Sequence, residues 1–73
     1  MPSSKILERF GNRIREIRKE KYLTQEKLAD RAKLHYTYVG AVERGEKNIS
    51  LKNIAKVVKG LGMSLAEFFS TLR

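Results

Sequence analysis

The absence of cysteine from a chain of only 73 residues is the feature that most constrains its fold. A domain of this size buries only about 60% of the surface exposed by its unfolded chain, so many small domains depend on disulfides or a structural metal. Without cysteine, a disulfide framework and a thiolate zinc site are both excluded. With a single histidine, we also expect no metal and no other cofactor. Stability must then come from closely packed helices in one domain spanning residues 1–73, with or without a second subunit to complete the core.

The charge of the chain is positive and unevenly distributed. Its formal net charge is +8, and 41% of its residues are hydrophobic, which is too many for a disordered polybasic tail. Residues 1–22 hold seven basic and three acidic groups, residues 23–45 four and three, and residues 46–73 five and two. A nearly neutral middle between basic flanks favours nucleic acid as the partner, although charge alone leaves an anionic membrane surface or an acidic protein open.

The hydropathy of the chain gives no indication of membrane insertion or export. No apolar run approaches the roughly 20 residues that a transmembrane helix needs. The N-terminal residues are not followed by an apolar stretch of the signal-peptide type. We therefore expect a cytoplasmic protein without a membrane partner.

Apolar spacing predicts five helices joined by short connections, and hence an all-α fold. In the first helix Leu7, Phe10, Ile14 and Ile17 recur at steps of three, four and three, which puts them on one face. The fourth helix bears the apolar residues Leu51, Ile54, Val57, Val58 and Leu61. The predicted helices run from Ser3 or Ser4 to about Lys21, from Thr24 to about Ala32, from about Tyr36 to Arg44, from Ser50 to a stop at Gly62, and from Ser64 to the end of the chain.

Capping residues support these boundaries. Thr24 and Ser50 are good N-caps, and Gly45 suits the left-handed position that ends the third helix. Ser64 and Glu67 have the spacing of a capping box, in which each side chain accepts a hydrogen bond from the other's backbone. Met63 and Phe68 flank this box at the positions of a hydrophobic staple.

The second and third helices, at 24–32 and 36–44, have the layout of a helix-turn-helix. Only about three residues separate them, and basic segments flank them. In this motif the second helix lies in the major groove of DNA. Ala29 fits the motif because a small side chain lets the two helices cross closely.

The residues of this region resemble the Cro and phage-repressor helix-turn-helix family. The matching segments are LTQEKLA at 23–29, Val39 with VERG at 42–45, SL at 50–51 and LGMSL at 61–65, in the family's order over about residues 10–69. Within the family, TYVGAVERGEKNISL at 37–51 is most similar to the controller proteins of restriction–modification systems. The resemblance implies a lambda-repressor-like domain with its motif at about 24–44.

The resemblance also implies which residues read DNA bases, namely Tyr36, Thr37, Gly40 and Ala41. Thr37 either exchanges hydrogen bonds with a base or contacts a thymine methyl, and Ala41 offers only a methyl. Tyr36 alternatively packs its ring on the sugar–phosphate backbone. Gly40 is costly inside a helix, so DNA or a neighbouring helix is expected to come close to it. The lack of arginine at position 36 favours A·T-rich or shape-based recognition over guanine.

A second implied group of residues holds phosphates: Gln25, Tyr38, Arg44, Lys47 and Asn48. Gln25 opens the second helix, where free backbone N–H groups attract an anion. The Tyr38 hydroxyl either contacts a phosphate or packs against the first helix. Arg44, Lys47 and Asn48 follow the predicted recognition helix.

The family pattern further implies an ion pair between Arg18 and Glu43, although Arg18 alternatively turns toward a phosphate. Tyr22 and Lys33 stand where the family usually has glycine, so each is expected to carry strain if its backbone is left-handed. His35 stands where serine, threonine or aspartate normally caps the third helix. We interpret it as a weak cap, with a base contact or a pH sensor as the alternatives.

The function implied is that of a homodimeric, sequence-specific regulator of transcription that binds a pseudo-palindromic operator in double-stranded DNA. RNA polymerase is a further expected partner, and activation and repression both stay open. The dimer surface is predicted on the last helix, at about 64–73, with Leu72 and whichever of Phe68 and Phe69 is not in the core. The alternative is an antitoxin-type module that binds a toxin and its own promoter. The sequence has no nucleophile–base pair, phosphate-binding glycine loop or metal cluster, so an enzyme is not expected.

Overall fold

The computed structural model describes residues 4–72, and within this range it contains five α-helices and no strand. Its Cα radius of gyration is 11.0 Å. The five helices confirm the predicted all-α fold, and each predicted helix is present. The helices are α1 (Lys5–Glu20), α2 (Gln25–Ala32), α3 (Tyr36–Glu43), α4 (Leu51–Gly60) and α5 (Leu65–Thr71).

A side chain caps the first turn of every helix. The caps are Ser4, Thr24, His35, Ser50 and Ser64. Ser3, the alternative start of the first helix, lies outside the described residues, as does Arg73. The predicted capping box is confirmed: Ser64 Oγ accepts from Glu67 N at 3.0 Å, and Glu67 Oε1 accepts from Ser64 N at 2.8 Å. The Ser64 backbone and side-chain hydrogen bonds lower the pKa of Glu67.

Four connections use the same left-handed turn to end a helix. The φ angle is 58° at both Tyr22 and Lys33, 74° at Gly45 and 79° at Gly62. In each case the next residue's N–H donates to a carbonyl five positions earlier, as Leu23 N does to Arg18 O at 3.0 Å. This satisfies carbonyls that the helix end would otherwise leave unpaired. Tyr22 and Lys33 thus occupy a conformation that glycine adopts without strain, as expected from the sequence.

The core lies between α1, α2, the inner face of α3, the second half of α4 and α5. Its fully buried larger side chains are Ile14, Leu28, Val39, Val42, Val57, Val58, Leu61 and Phe68. Leu51, the first apolar residue of α4, lies outside this core and is 74% exposed. Burial rises along α4 from Leu51 through half-buried Ile54 to buried Val57. The helix therefore enters the core only after its first turn.

The two phenylalanines of α5 have different environments. Phe68 is fully buried, and its ring meets Phe10 of α1 edge-on with centroids 5.4 Å apart. Phe69 is 43% exposed, with its centroid 5.1 Å from that of Phe68. Phe68 is therefore the ring that lies in the core, between α5 and α1, and it is removed from the predicted dimer-interface residues. Phe69 and half-buried Leu72 are the residues left for that role.

Gly11 allows α1 and α3 to approach closely. A Cβ atom on this residue would lie 2.2 Å from Val42 O and 2.7 Å from Glu43 O, both of which are backbone atoms in α3. No side chain other than hydrogen fits this distance without a shift of the backbone. The close contact brings the middle of α1 beside the end of α3.

Replacing Tyr22 by glycine is expected to stabilise the protein. The Tyr22 side chain is 95% exposed, so little packing is lost, and glycine removes a left-handed strain of about 1 kcal/mol, partly offset by its greater unfolded-state entropy. We expect an increase of a few degrees in the melting temperature followed by circular dichroism. The matched control is Lys21→Gly, where φ is −93° and glycine should instead destabilise. A lower melting temperature for Tyr22→Gly would contradict the strain at this position.

Candidate nucleic-acid interface

A buried ion pair joins α1 to the end of α3. Arg18 Nε donates to Glu43 Oε2 at 2.6 Å, and Arg18 Nη2 donates to Glu43 Oε1 at 3.1 Å. Arg18 Nη1 also donates to the carbonyl of Leu23, in the α1–α2 connection, at 2.8 Å. The predicted pair between Arg18 and Glu43 is thus confirmed. The guanidinium of Arg18 donates to the Glu43 carboxylate and to the Leu23 carbonyl. In this structure Arg18 therefore does not turn outward toward a phosphate.

Gln25 extends this network to α2. Its Nε2 donates to Glu43 Oε1 at 3.0 Å, so one carboxylate receives hydrogen bonds from two other helices. The side chain is half-buried and stands at the first residue of α2. Because the Gln25 amide is engaged by Glu43, the free backbone N–H groups of this first turn are better suited to bind an anion than the side chain is.

Gly40 lies beneath the side chains of Gln25 and Arg44. A Cβ atom at this position would be 3.3 Å from Arg44 Nη1 and 3.4 Å from Gln25 Oε1. The close neighbours of Gly40 are therefore a side chain of α2 and that of the residue that follows α3. Gly40 and Ala41 are both buried, Ala41 with 7% exposure, so little surface of either is available to a base. Their role in base reading stays a prediction.

The N-terminal end of α3 is exposed. Tyr36 and Thr37 both face solvent, and the His35 ring stacks on that of Tyr36 with centroids 4.9 Å apart and an interplanar angle of 24°. His35 Nδ1 accepts from Thr37 N at 3.2 Å, which confirms His35 as the cap of this helix. Of the four predicted base-reading residues, these two are the ones that the fold presents at its surface.

Tyr38 connects α3 to α4. Its ring packs against the core, and its hydroxyl oxygen accepts from Asn53 Nδ2 at 3.2 Å. The hydroxyl hydrogen is not used by this contact, so it can still be donated to a phosphate. The hydrogen-bonding partner of the hydroxyl is thus on α4. Asn53 was not predicted from the sequence as a partner of Tyr38, because only its position in the first turn of a capped helix indicated a role for it.

Arg44 is paired with Glu46 at the surface. The Nε and Nη2 atoms of Arg44 donate to the two carboxylate oxygens of Glu46 at 2.9 Å and 3.1 Å. These hydrogen bonds lower the pKa of Glu46 and raise that of Arg44. Lys47 and Asn48 are exposed beside this pair. Three of the five predicted phosphate-binding residues are therefore exposed within one short segment. The partner of Arg44, Glu46, was not predicted from the sequence although it lies only two residues away.

Two other kinds of site, a metal centre and a membrane span, are not found in the described part of the chain. Residues 4–72 contain no group of three acidic or histidine side chains close enough to hold a metal ion. Among the helices in the same range, none has the length and apolar character to cross a membrane.

The helix-turn-helix family model matches residues 14–68, which include all of α2, α3 and α4. The chain belongs to the helix-turn-helix family. Among its relatives, the control protein C.MunI of a Mycoplasma species is 45% identical over 65 residues, covering 88% of this chain and 88% of that protein. The control protein C.BamHI of Bacillus amyloliquefaciens is 49% identical over 55 residues, covering 74% of this chain and 68% of that protein. Within the helix-turn-helix family, the chain thus belongs with the restriction–modification controller proteins.

Solved structures of this family superimpose closely on the chain. The restriction–modification controller protein C.AhdI of Aeromonas hydrophila has a TM-score of 0.86 at 45% identity, covering 90% of this chain and all of that one. The controller protein C.Esp1396I, solved as a tetramer with its natural 35-base-pair operator, has a TM-score of 0.89 at 37% identity over 93% of this chain and 90% of that one. The five-helix arrangement is therefore that of helix-turn-helix controller proteins.

Replacing Glu43 by glutamine is expected to destabilise the protein strongly. The change leaves the Arg18 guanidinium buried without a counter-charge, which costs about 3 kcal/mol and lowers the melting temperature by more than about 10 °C. Glu46→Gln is the matched control, because it removes the same charge from an exposed pair, where ion pairs contribute little. Urea unfolding measures the free energy of unfolding of both variants. Equal losses from the two variants would show that the buried pair has no special role.

Proposed function

We propose that this chain is a homodimeric, sequence-specific regulator of transcription and the controller protein of a restriction–modification system. It binds a pseudo-palindromic operator in double-stranded DNA and has no catalytic role. The observation that carries this proposal is an exposed start of α3 on a helix whose other end is fixed by the buried Arg18–Glu43–Gln25 network. Such a rigid support lets the same two side chains meet the bases at every encounter.

In the proposed complex, α3 lies in the major groove with Tyr36 and Thr37 nearest the base edges. The start of α2 directs its free N–H groups at a phosphate beside Gln25. The Tyr38 hydroxyl donates its remaining hydrogen to another phosphate. Contacts of these two kinds have separate effects, since phosphate contacts set register and orientation whereas base contacts give sequence preference.

The surface after α3 supplies further phosphate contacts through Arg44, Lys47 and Asn48. Arg44 must exchange Glu46 for a phosphate oxygen on binding. Exposed ion pairs contribute little to stability, so breaking this pair costs little free energy. The released Glu46 carboxylate, however, repels the phosphate backbone of the DNA. The net charge of +8 outweighs that repulsion and attracts DNA in a salt-dependent manner.

The proposed dimer surface lies on α5, within the predicted dimerisation segment 64–73. Phe69 and Leu72 supply apolar area there, and Arg13 Nε donates to Thr71 Oγ1 at 3.1 Å, which holds the end of α5 on α1. Two copies related by a two-fold axis would present their α3 helices to successive major grooves about 34 Å apart. A pseudo-palindromic operator follows from that symmetry.

The proposed site of action is the cytoplasm, where the operator and RNA polymerase are found together. We propose RNA polymerase as a second partner, with activation or repression decided by the position of the operator. The control proteins C.MunI and C.BamHI favour the controller interpretation over that of an antitoxin.

Thr37→Ala and Arg44→Ala are expected to weaken DNA binding in different ways. Removing a base contact should reduce the ratio of operator to random-duplex affinity about tenfold. Removing a phosphate contact should weaken binding to both duplexes by a similar factor and lower the number of counterions released on binding by about one. Gel-shift titrations at fixed and varied salt measure these quantities. Equal losses on both duplexes for Thr37→Ala would exclude a base-reading role for this residue.

Phe69→Arg is expected to convert the dimer to a monomer. A charge at the centre of an apolar contact is desolvated without a partner, whereas the exposed position of Phe69 leaves the monomer fold intact. Sedimentation equilibrium gives the mass directly. Ile6→Arg is the control, because Ile6 is another exposed apolar residue but lies on α1. An unchanged mass for Phe69→Arg would disprove the proposed interface.

A further inference from the structure

The cap of α3 fixes the direction in which the Thr37 hydroxyl donates its hydrogen. His35 Nδ1 accepts a hydrogen bond from the backbone N–H of Thr37 at 3.2 Å, and the same nitrogen lies 2.8 Å from Thr37 Oγ1. A backbone N–H can only donate, so Nδ1 must present its lone pair and carries no hydrogen. The Thr37 hydroxyl is then the donor in the shorter contact, and the ring hydrogen is on Nε2.

This arrangement leaves the Thr37 hydroxyl with acceptor capacity alone. A threonine hydroxyl has one hydrogen and two lone pairs, and here the hydrogen is held by His35. Thr37 is exposed, so the lone pairs of Oγ1 are available to a ligand on the outer face of α3. Stacking of the His35 ring on Tyr36 restrains rotation of the imidazole and keeps Nδ1 directed at Thr37.

We propose that His35 makes Thr37 an obligate hydrogen-bond acceptor and thereby directs α3 to a base with an exocyclic amino group, adenine N6 or cytosine N4. In the major groove these two bases present a donor, whereas guanine O6 and N7 and thymine O4 are acceptors that would face the lone pairs of Oγ1. This inference rests on the proposed function and specifies what its recognition helix reads. His35 acts as a positioning residue, since it works through Thr37.

Three variants separate this role from simple helix capping. Thr37→Val keeps the shape of the side chain but removes the acceptor. His35→Asp keeps an acceptor for both Thr37 groups, and His35→Phe keeps a ring to stack on Tyr36 but has no acceptor. Affinity for a random duplex, measured for every variant, reports whether the phosphate-binding surface and the fold survive.

The test is competition binding to operator duplexes that carry each of the four base pairs at every half-site position. The wild-type protein should prefer adenine or cytosine over guanine or thymine about tenfold at one position on one strand. Thr37→Val should lose this preference, His35→Asp should keep it, and His35→Phe should accept guanine or thymine more readily. Replacing the preferred adenine by purine, or cytosine by pyrimidin-2-one, removes only the amino group and should weaken wild-type binding by a similar factor.

Two results would overturn the inference while leaving the proposed function intact. One is a preference for guanine or thymine at the position that depends on Thr37, and the other is an unchanged affinity when the amino group is removed. The base-analogue comparison uses the wild-type protein, so it decides the matter even if His35→Phe fails to fold. Equal wild-type affinity for every duplex would overturn the proposed function itself, and this inference with it.

Discussion

The buried ion pair between Arg18 and Glu43 determines how the first three helices meet. Taking both charges out of water is costly, and the cost is offset only while the carboxylate receives its hydrogen bonds from Arg18 and Gln25. A shift of α3 along α1 would leave these groups unpaired. The close contact between Gly11 and the backbone of α3 also opposes such a shift. We interpret the pair as a device that selects one orientation of α3 more than one that adds net stability.

The consequences of that orientation appear at both ends of α3. Its first residues are exposed, and there His35 stacks on Tyr36 while its Nδ1 contacts both the backbone N and the Oγ1 of Thr37. Its last residues lead to Arg44 at the surface. In the proposed complex, sequence preference and general affinity for DNA are thus assigned to different side chains of one short segment, and each is expected to change without the other.

Features determined by neighbouring residues could be predicted from the sequence, whereas those determined by side-chain direction could not. The Ser64–Glu67 box is local, so its spacing alone identified it, and the position of Arg18 and Glu43 followed from resemblance to a family. The choice between Phe68 and Phe69 depends on how α5 lies against α1, which apolar spacing does not determine. The pairing of Arg44 with Glu46 depends on rotamers, and so does the hydrogen-bond direction at Thr37.

The most direct test of this account is selection of bound duplexes from a random library at low and at physiological salt. Recognition by two rigidly held α3 helices predicts enrichment of a palindrome at both concentrations, with half-sites separated by about one helical turn. Binding that enriches no sequence and collapses as salt rises would contradict the account. The positive charge of the chain would then explain its affinity for DNA without any reading of bases.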